Sequence, residues 1–422
     1  MDLFQKCYDF EAADMGRAIG VYPFFKSMEH CFGPQAIYNG RRVIVICSND
    51  YLGLTNDSRV KQAAKQATDR LGTGCTGSRL LNGNTIIHDQ LEREFADFLG
   101  KEDALVFSTG FLTNYGVISC LAEKGSFIIS DTENHGSIVA GCRGSRATTV
   151  KYHHNDMSDL KKVLGELPQD SAKLIVTDGV FSMSGDIVDL NELITIKKQF
   201  PGTYLYLDDA HGIGVLGDQG RGTANYFGLT EGVDLIMATL SKSFASIGGI
   251  VTGPRKIIDY IRHHSQGFIL SAAIPPASAA AALKALEIMK TEPQIFDRLW
   301  QNTSYIHDGF RRLGLSYIES KMPIISIFVG DEGKAVQLVK ALFERDVFAT
   351  PVLYPAVPYG QAVIRTSFTA SHTTEDLDKV LKAFGEVAPE FGILKSQTEV
   401  PKKFVHRARA WNFDALFNSK EV

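Results

Sequence analysis

Residues 203–212, TYLYLDDAHG, and 234–249, DLIMATLSKSFASIGG, decide the fold. Each opens as a short apolar run and ends abruptly in reactive side chains. The first ends in two acids and a histidine, the second in a lysine set among small residues. An apolar run without polar alternation reads as a strand buried on both faces. Working outward, the same pattern recurs in ALVF (104–107), FIIS (127–130), KLIVT (173–177) and GGIVTG (248–253). Helical stretches separate these runs, and Asp57–Leu71 and Ile86–Leu99 are amphipathic. Buried strands alternating with helices predict an α/β domain with a mostly parallel sheet. Ligands bind such sheets at the carboxyl ends of the strands.

The rhythm changes on both sides of this region. Residues 1–56 read as an N-terminal arm and a short hairpin, with AIYNGRRVIVI turning at Asn39-Gly40. The large α/β domain then spans 57–290. From 291 to 395 the pattern predicts a small C-terminal α+β domain: a long helix over 293–313, a strand over 324–328, a helix over 333–344, a Pro-rich loop at 351–358, a strand over 362–367 and a helix over 374–384. The tail, 396–422, contains the basic and aromatic stretch PKKFVHRARAWNF and reads as a surface segment.

Composition narrows the function. A chain of 422 residues with 44 basic and 48 acidic side chains has a net charge of −4 and no basic stripe, which argues against nucleic acid. The six cysteines (7, 31, 47, 75, 120 and 142) show no CxxC pairing, as expected of a reduced, cytoplasmic protein without a structural zinc. The N-terminus has acids and no apolar run, so no signal peptide is read there. The apolar stretches 104–122 and 268–283 are broken by polar residues and by Pro275-Pro276, and neither reads as a membrane span. A peripheral contact with the inner membrane is compatible with the tail.

The reactive residues fall at predicted strand ends. Taken alone, Asp208 would be read as a turn cap and Lys242 as a surface charge. Lys242, however, closes a buried run and is flanked by small and apolar residues. Desolvation there favours the neutral amine that forms a Schiff base. Thr239–Gly248, TLSKSFASIG, looks like the lysine-attachment signature of class II pyridoxal-phosphate (PLP) transferases. Such an enzyme needs a carboxylate at the pyridine nitrogen, a polar neighbour for the ring hydroxyl, a flat partner for the ring and N–H donors for the phosphate. Asp208, His211, His135 and the strand-to-helix turn Ser108–Phe111 are the candidates in that order, with Gly110 allowing close backbone approach. Thr239 and Ser241 add phosphate donors, and Arg365 is the candidate clamp for a substrate carboxylate.

The chain resembles the α-oxoamine synthase family of fold-type I, aspartate aminotransferase-like PLP enzymes. The resemblance runs from about Phe32 to Phe384 and rests on SNDYLGL (48–54), STGFLTN (108–114), HGSIVAG (135–141), TDGVFSMSGD (177–186), LDDAHGIGVLG (207–217), TLSKSFASIGG (239–249) and IRTSFTASHT (364–373). GTGCTGSRLLNG (72–83), EPQIFDRLWQNT (292–303) and the PAVP loop (355–358) resemble the bacterial serine palmitoyltransferase subgroup.

The family pattern implies an α/β fold with a small α+β domain, PLP as cofactor, and condensation of an amino acid with an acyl-CoA with loss of CO2. In the subgroup these are L-serine and a long-chain acyl-CoA, in a homodimer with the active site at the interface. It implies Lys242 as Schiff-base lysine and base at Cα, Asp208 at the pyridine nitrogen, His211 at the ring hydroxyl and His135 on the ring face. Gly110, Phe111, Ser182, Thr239 and Ser241 surround the cofactor, and Arg365 and Asn49 hold the substrate carboxylate. The chain departs from the family at Ser271-Ala272-Ala273, where relatives place Ser or Thr before the proline pair.

Overall fold

The computed structural model describes residues 2–400 apart from 355 and 399. The basic stretch of the tail lies outside these residues, as does Pro355 of the Pro-rich loop. The chain divides into two units. One comprises Asn49–Ser182 and Asp186–Asp297, and the other the residues up to Ser48, Met183–Gly185 and those from Arg298 onward. The strands run, in chain order, β1 (His30–Cys31), β2 (Gln35–Tyr38), β3 (Arg41–Val45), β4 (Asp103–Phe107), β5 (Phe127–Asp131), β6 (Thr148–Tyr152), β7 (Lys173–Asp178), β8 (Thr203–Asp208), β9 (Leu235–Thr239), β10 (Gly249–Gly253), β11 (Ile324–Gly330), β12 (Val347–Phe348), β13 (Pro351–Val352) and β14 (Ala362–Ser367).

The first unit is built on a seven-stranded sheet in the order β4-β10-β9-β8-β7-β5-β6. β6, β5, β7, β8 and β9 pair in parallel. β10 runs antiparallel to both its neighbours. Nine residues, 240–248, separate β9 from β10, and a parallel return needs a crossover of a dozen or more. β8 and β9 are almost wholly buried, as their unbroken apolar runs predict. β6, TTVKY, sits at the sheet edge and is largely exposed. Thr, Val and Tyr favour strands, but β6 has no apolar run to mark it.

The helix Gly110–Leu121 follows β4, and Gly136–Gly144 follows β5. Leu105, Phe107, Val117, Ile118, Ile138, Tyr206 and Met237 share one buried core beneath them. At about 25 cal/mol per Å² of apolar surface, such burial is the main favourable term. It also fixes where each strand ends.

The second unit holds two small sheets, ordered β1-β2-β3-β12 and β11-β14-β13. Asn39 and Gly40 take φ of 51° and 68° and join β2 to β3, the conformation a tight two-residue hairpin turn requires. β12 then pairs in parallel with β3, so the N-terminal hairpin and the C-terminal segments share one unit. Its core includes Ile44, Phe310, Leu338, Ile364, Phe368 and Phe384. The last helix runs Thr374–Phe391, past the predicted end at 384 and through Pro389.

Gly40→Val tests the hairpin reading. A Cβ there would meet nothing within 4 Å, so only backbone strain remains. We expect a loss of about 1 kcal/mol, seen as a lower urea midpoint at unchanged slope.

Candidate active site

Three parallel neighbours, β7, β8 and β9, deliver their last residues to the same edge of the sheet. Asp178 and Asp208 are paired across β7 and β8, and Asp208 is paired with Met237 of β9. Asp208 is 3% exposed. Its Oδ2 accepts from Asn114 Nδ2 at 2.5 Å and its Oδ1 from the Ala210 N–H at 3.1 Å. Both of these donors are uncharged, one an amide and the other a backbone N–H.

The chain turns tightly after β8, with the Gly212 and Ile213 N–H groups donating to Asp209 O. That turn brings His211 back beside Tyr51, whose Oη lies 2.7 Å from His211 Nδ1. Tyr51 Oη also donates to Asn49 Oδ1 at 3.4 Å. Asn49, Tyr51 and His211 therefore form one group. Asp209 points away and accepts from the Thr223 N–H and hydroxyl, both at 2.6 Å. Burial pushes its carboxyl up to about 7.

His135 caps the helix Gly136–Gly144. Its own N–H donates to Asp178 Oδ2 at 2.8 Å, while the Ser137 N–H donates to its Nδ1. Burial holds its imidazole below the ordinary range, the Asp208 charge acts the other way, and the Lys242 charge lowers it further. Burial pushes the Asp178 carboxyl well up, and the nearby Asp208 charge adds to this.

Lys242 lies in the loop after β9, half-buried. Its charge acts on His135, Asp178 and Asp209, so the amine belongs to the same cluster. Thr239 Oγ1 and Ser241 Oγ stand 2.9 Å apart beside it. Ser182 follows β7 and is half-buried.

Gly110 opens the helix after β4, with the Thr109 hydroxyl accepting from the Leu112 N–H. The Gly110 and Phe111 N–H groups are helix-end donors that the helix itself cannot use. A Cβ on Gly110 would lie 2.8 Å from Thr239 Oγ1 and 3.1 Å from Met237 Cε. Only glycine lets the helix end sit that close to β9. The Phe111 side chain is exposed, so any role in the site falls to its backbone. Arg365 belongs to the other unit, on β14, where its Nη1 donates to Ser367 Oγ at 3.0 Å.

Sequence reasoning passed over several residues that hold this site. Asn114, Tyr206, Ser137 and Tyr51 are ordinary polar or aromatic types in strands and helices. Asn114 carried a signal: it lies four residues after Gly110, on the same helix face. Asp178 carried the signal that marked Asp208, an acid closing a buried apolar run. His154 carried none. Its Nδ1 lies 3.0 Å from Asp131 Oδ1 and its Nε2 3.3 Å from Asp186 Oδ2, with Glu133 Oε2 at 3.7 Å. Burial opposes its charge, but the hydrogen bonds to Asp131 and Asp186 and the charges of Asp131 and Glu133 outweigh it. They raise the imidazole to about 10. Asp131 also accepts from the Glu133 and Asn155 N–H groups, each at 2.8 Å. This charged knot ties down the loop that carries His135.

The donor set fits pyridoxal phosphate. It offers a helix N-terminus packed too closely for any side chain at its first residue, a buried carboxylate held by neutral donors, imidazoles from two loops, and a half-buried lysine. Among the described residues no group of three or more His, Cys, Asp or Glu could hold a metal ion. Nor is any helix among them long and apolar enough to cross a membrane.

Fold and donor set together define a fold-type I PLP-dependent transferase. Residues 41–384 match the family described as aminotransferase class I and II. Serine palmitoyltransferase of Bacteriovorax stolpii is 45% identical over 91% of this chain and 91% of its own. The 8-amino-7-oxononanoate synthase of Symbiobacterium thermophilum is 46% identical over 89% of this chain and 96% of its own. A serine palmitoyltransferase variant from S. paucimobilis, solved with a bound PLP-myriocin aldimine, superimposes with a TM-score of 0.90 at 33% identity, covering 93% of this chain and 100% of that one. The chain belongs to the aminotransferase class I and II family, in its α-oxoamine synthase branch. The fold class expected from the strand rhythm and the motifs is the one found.

Two measurements test the site. Gly110→Ala should destabilise the protein by about 1–3 kcal/mol through overpacking and weaken PLP binding, as read by thermal melting and cofactor titration. His154 has a raised pKa, so its contribution to stability is full below the unfolded value of about 6.5 and is lost as pH rises through about 10. The stability gap between the parent protein and His154→Asn should therefore narrow over that window in denaturant titrations.

Proposed function

We propose that the protein catalyses the decarboxylative condensation of L-serine with palmitoyl-CoA, giving 3-ketosphinganine, CoA and CO2, the first step of sphingolipid synthesis. The observation that carries this reading is the placement of Asp208 at the end of β8 and of Lys242 just beyond the adjacent β9. Relatives named serine palmitoyltransferase at 43–45% identity supply the substrate class. A homodimer with the site at its interface goes with the same resemblance.

Bound pyridoxal phosphate supplies an electron sink for the charge left when the amino acid loses its Cα proton and, later, CO2. The chain's residues do the rest. Lys242 would carry the cofactor and would serve as the base for the Cα proton. Asp208 keeps a proton on the ring nitrogen by pairing with it in a desolvated place. His211, backed by Tyr51, serves the ring hydroxyl. His135 would offer the ring a flat partner and would orient the substrate carboxylate. The first N–H groups of the helix Gly110–Leu121, with Thr239 and Ser241, receive the phosphate. Ser182 completes the surround. Asn49 and Arg365 hold the substrate carboxylate, for which a guanidinium offers a two-pronged match.

A second reading has a specific observation behind it, since 8-amino-7-oxononanoate synthases match at 40–46% identity. Glycine- or alanine-using members of the branch would share every residue role above.

The deciding experiment titrates the holoenzyme's visible absorbance with L-serine, glycine and L-alanine. It then assays product formation from each with palmitoyl-CoA by mass spectrometry. A saturable spectral response to L-serine with formation of 3-ketosphinganine supports the proposal. A response confined to glycine or L-alanine moves the protein to the second reading. Lys242→Ala should abolish turnover, and Asp208→Asn should lower kcat severely with amino-acid binding retained. Normal turnover by Lys242→Ala would falsify the assignment.

A further inference from the structure

Asn114 is buried at 1% exposure and sits one helical turn after Gly110. Its Nδ2 donates to two groups on different elements, Asp208 Oδ2 at 2.5 Å and Ser137 Oγ at 2.8 Å. Its Oδ1 accepts from Tyr206 Oη at 2.7 Å. Tyr206 is fully buried on β8, two residues before Asp208. The Asp208 carboxylate, which only accepts, fixes which way the amide faces, because the reversed amide would set Oδ1 against Oδ2; the Tyr206 hydroxyl, able to donate or accept, then donates to Oδ1. Both amide hydrogens are then committed.

The donors continue in one direction. With Asn114 donating to Ser137 Oγ, the serine hydroxyl donates onward to His135 Nδ1 at 2.6 Å. The Ser137 backbone N–H points at the same nitrogen at 3.2 Å. Nδ1 therefore carries no hydrogen, and the proton of a neutral ring sits on Nε2. The groups facing His135 are Asp178, which takes its backbone N–H, and the charges of Asp208 and Lys242.

We propose that Asn114 is a positioning residue that fixes, through one amide, both the aim of Asp208 and the tautomer of His135. Tyr206 holds that amide in place by donating to its Oδ1. The group meant for the cofactor's ring nitrogen and the group meant for its face are thereby held as a unit. This rests on the pyridoxal-phosphate reading. It goes beyond it by assigning Asn114, Ser137 and Tyr206 to the machinery. A buried network with every member satisfied specifies one geometry, and its members act non-additively.

The test compares Asn114→Ala, Ser137→Ala, Tyr206→Phe and the Asn114→Ala/Tyr206→Phe double variant with the parent. Pyridoxal phosphate is titrated into each apoprotein, each holoenzyme's visible absorbance is followed against pH, and each apoprotein is melted. Asn114→Ala should bind pyridoxal phosphate roughly tenfold more weakly, the scale of one charge-assisted hydrogen bond, and show a displaced absorbance–pH midpoint. Ser137→Ala should displace the midpoint with affinity little changed. Tyr206→Phe should resemble a mild Asn114→Ala, and the double variant should match Asn114→Ala alone.

A lowered melting temperature for Asn114→Ala with an unchanged midpoint and affinity would mean a structural role only and would overturn the proposal. So would additive effects in the double variant. Should Asn114→Ala fail to fold, unchanged midpoints in both Ser137→Ala and Tyr206→Phe would overturn it equally. If the parent binds no pyridoxal phosphate, the cofactor reading itself fails, an outcome distinct from all of these.

Discussion

A carboxylate buried at the end of a central strand is the constraint on which the site depends. Removing Asp208 from water costs several kcal/mol unless donors replace the lost hydration. The sheet places it between Asp178 and Met237, neither of which carries a positive charge. What the chain supplies is neutral: an amide from the helix after β4 and the Ala210 N–H. Lys242 adds its charge to the same cluster, where it acts on His135, Asp178 and Asp209. That arrangement suits the role proposed for Asp208 at the cofactor's ring nitrogen.

That requirement propagates outward. The helix carrying Asn114 must lie close to β9, which forces glycine at 110, where a Cβ would stand 2.8 Å from Thr239 Oγ1. The same close approach sets the helix's free N–H groups beside Thr239 and Ser241. One packing decision thereby serves both the carboxylate and the proposed phosphate site. His154 does for the next loop what Asn114 does here, with full charges in place of an amide. It can remain charged at neutral pH only because three acids surround it.

Much of this was legible in the chain, and the part that was not has a physical reason. Apolar runs closing on a reactive residue located β7, β8 and β9, because burial on both faces leaves no other pattern. Lys242, Asp208 and His211 stood out as costly side chains in places where a surface role was a poor explanation. Asn114, Ser137, Tyr51 and Tyr206 did not, since such residue types are common and cheap. Their importance lies in long-range distances that no local pattern records: Asn114 meets Asp208 across 94 positions, and Tyr51 meets His211 across 160. β6 was invisible because an edge strand needs no apolar run. The direction of β10 was readable only through the length of its connection.

The near-equal identity to relatives of two different names carries a final consequence. At 45% and 46%, the chain is no closer in overall identity to one than to the other. Residues that grip the cofactor are needed whichever amino acid is used, so agreement among them cannot separate the two activities. Discrimination between L-serine and a smaller amino acid has to come from side chains that meet a hydroxymethyl group, where one well-placed polar partner is worth a large factor in rate. The roles proposed for Asn114, Asp208 and His135 concern the cofactor and the substrate carboxylate, not the amino acid's side chain. That network can therefore stay fixed while specificity changes around it.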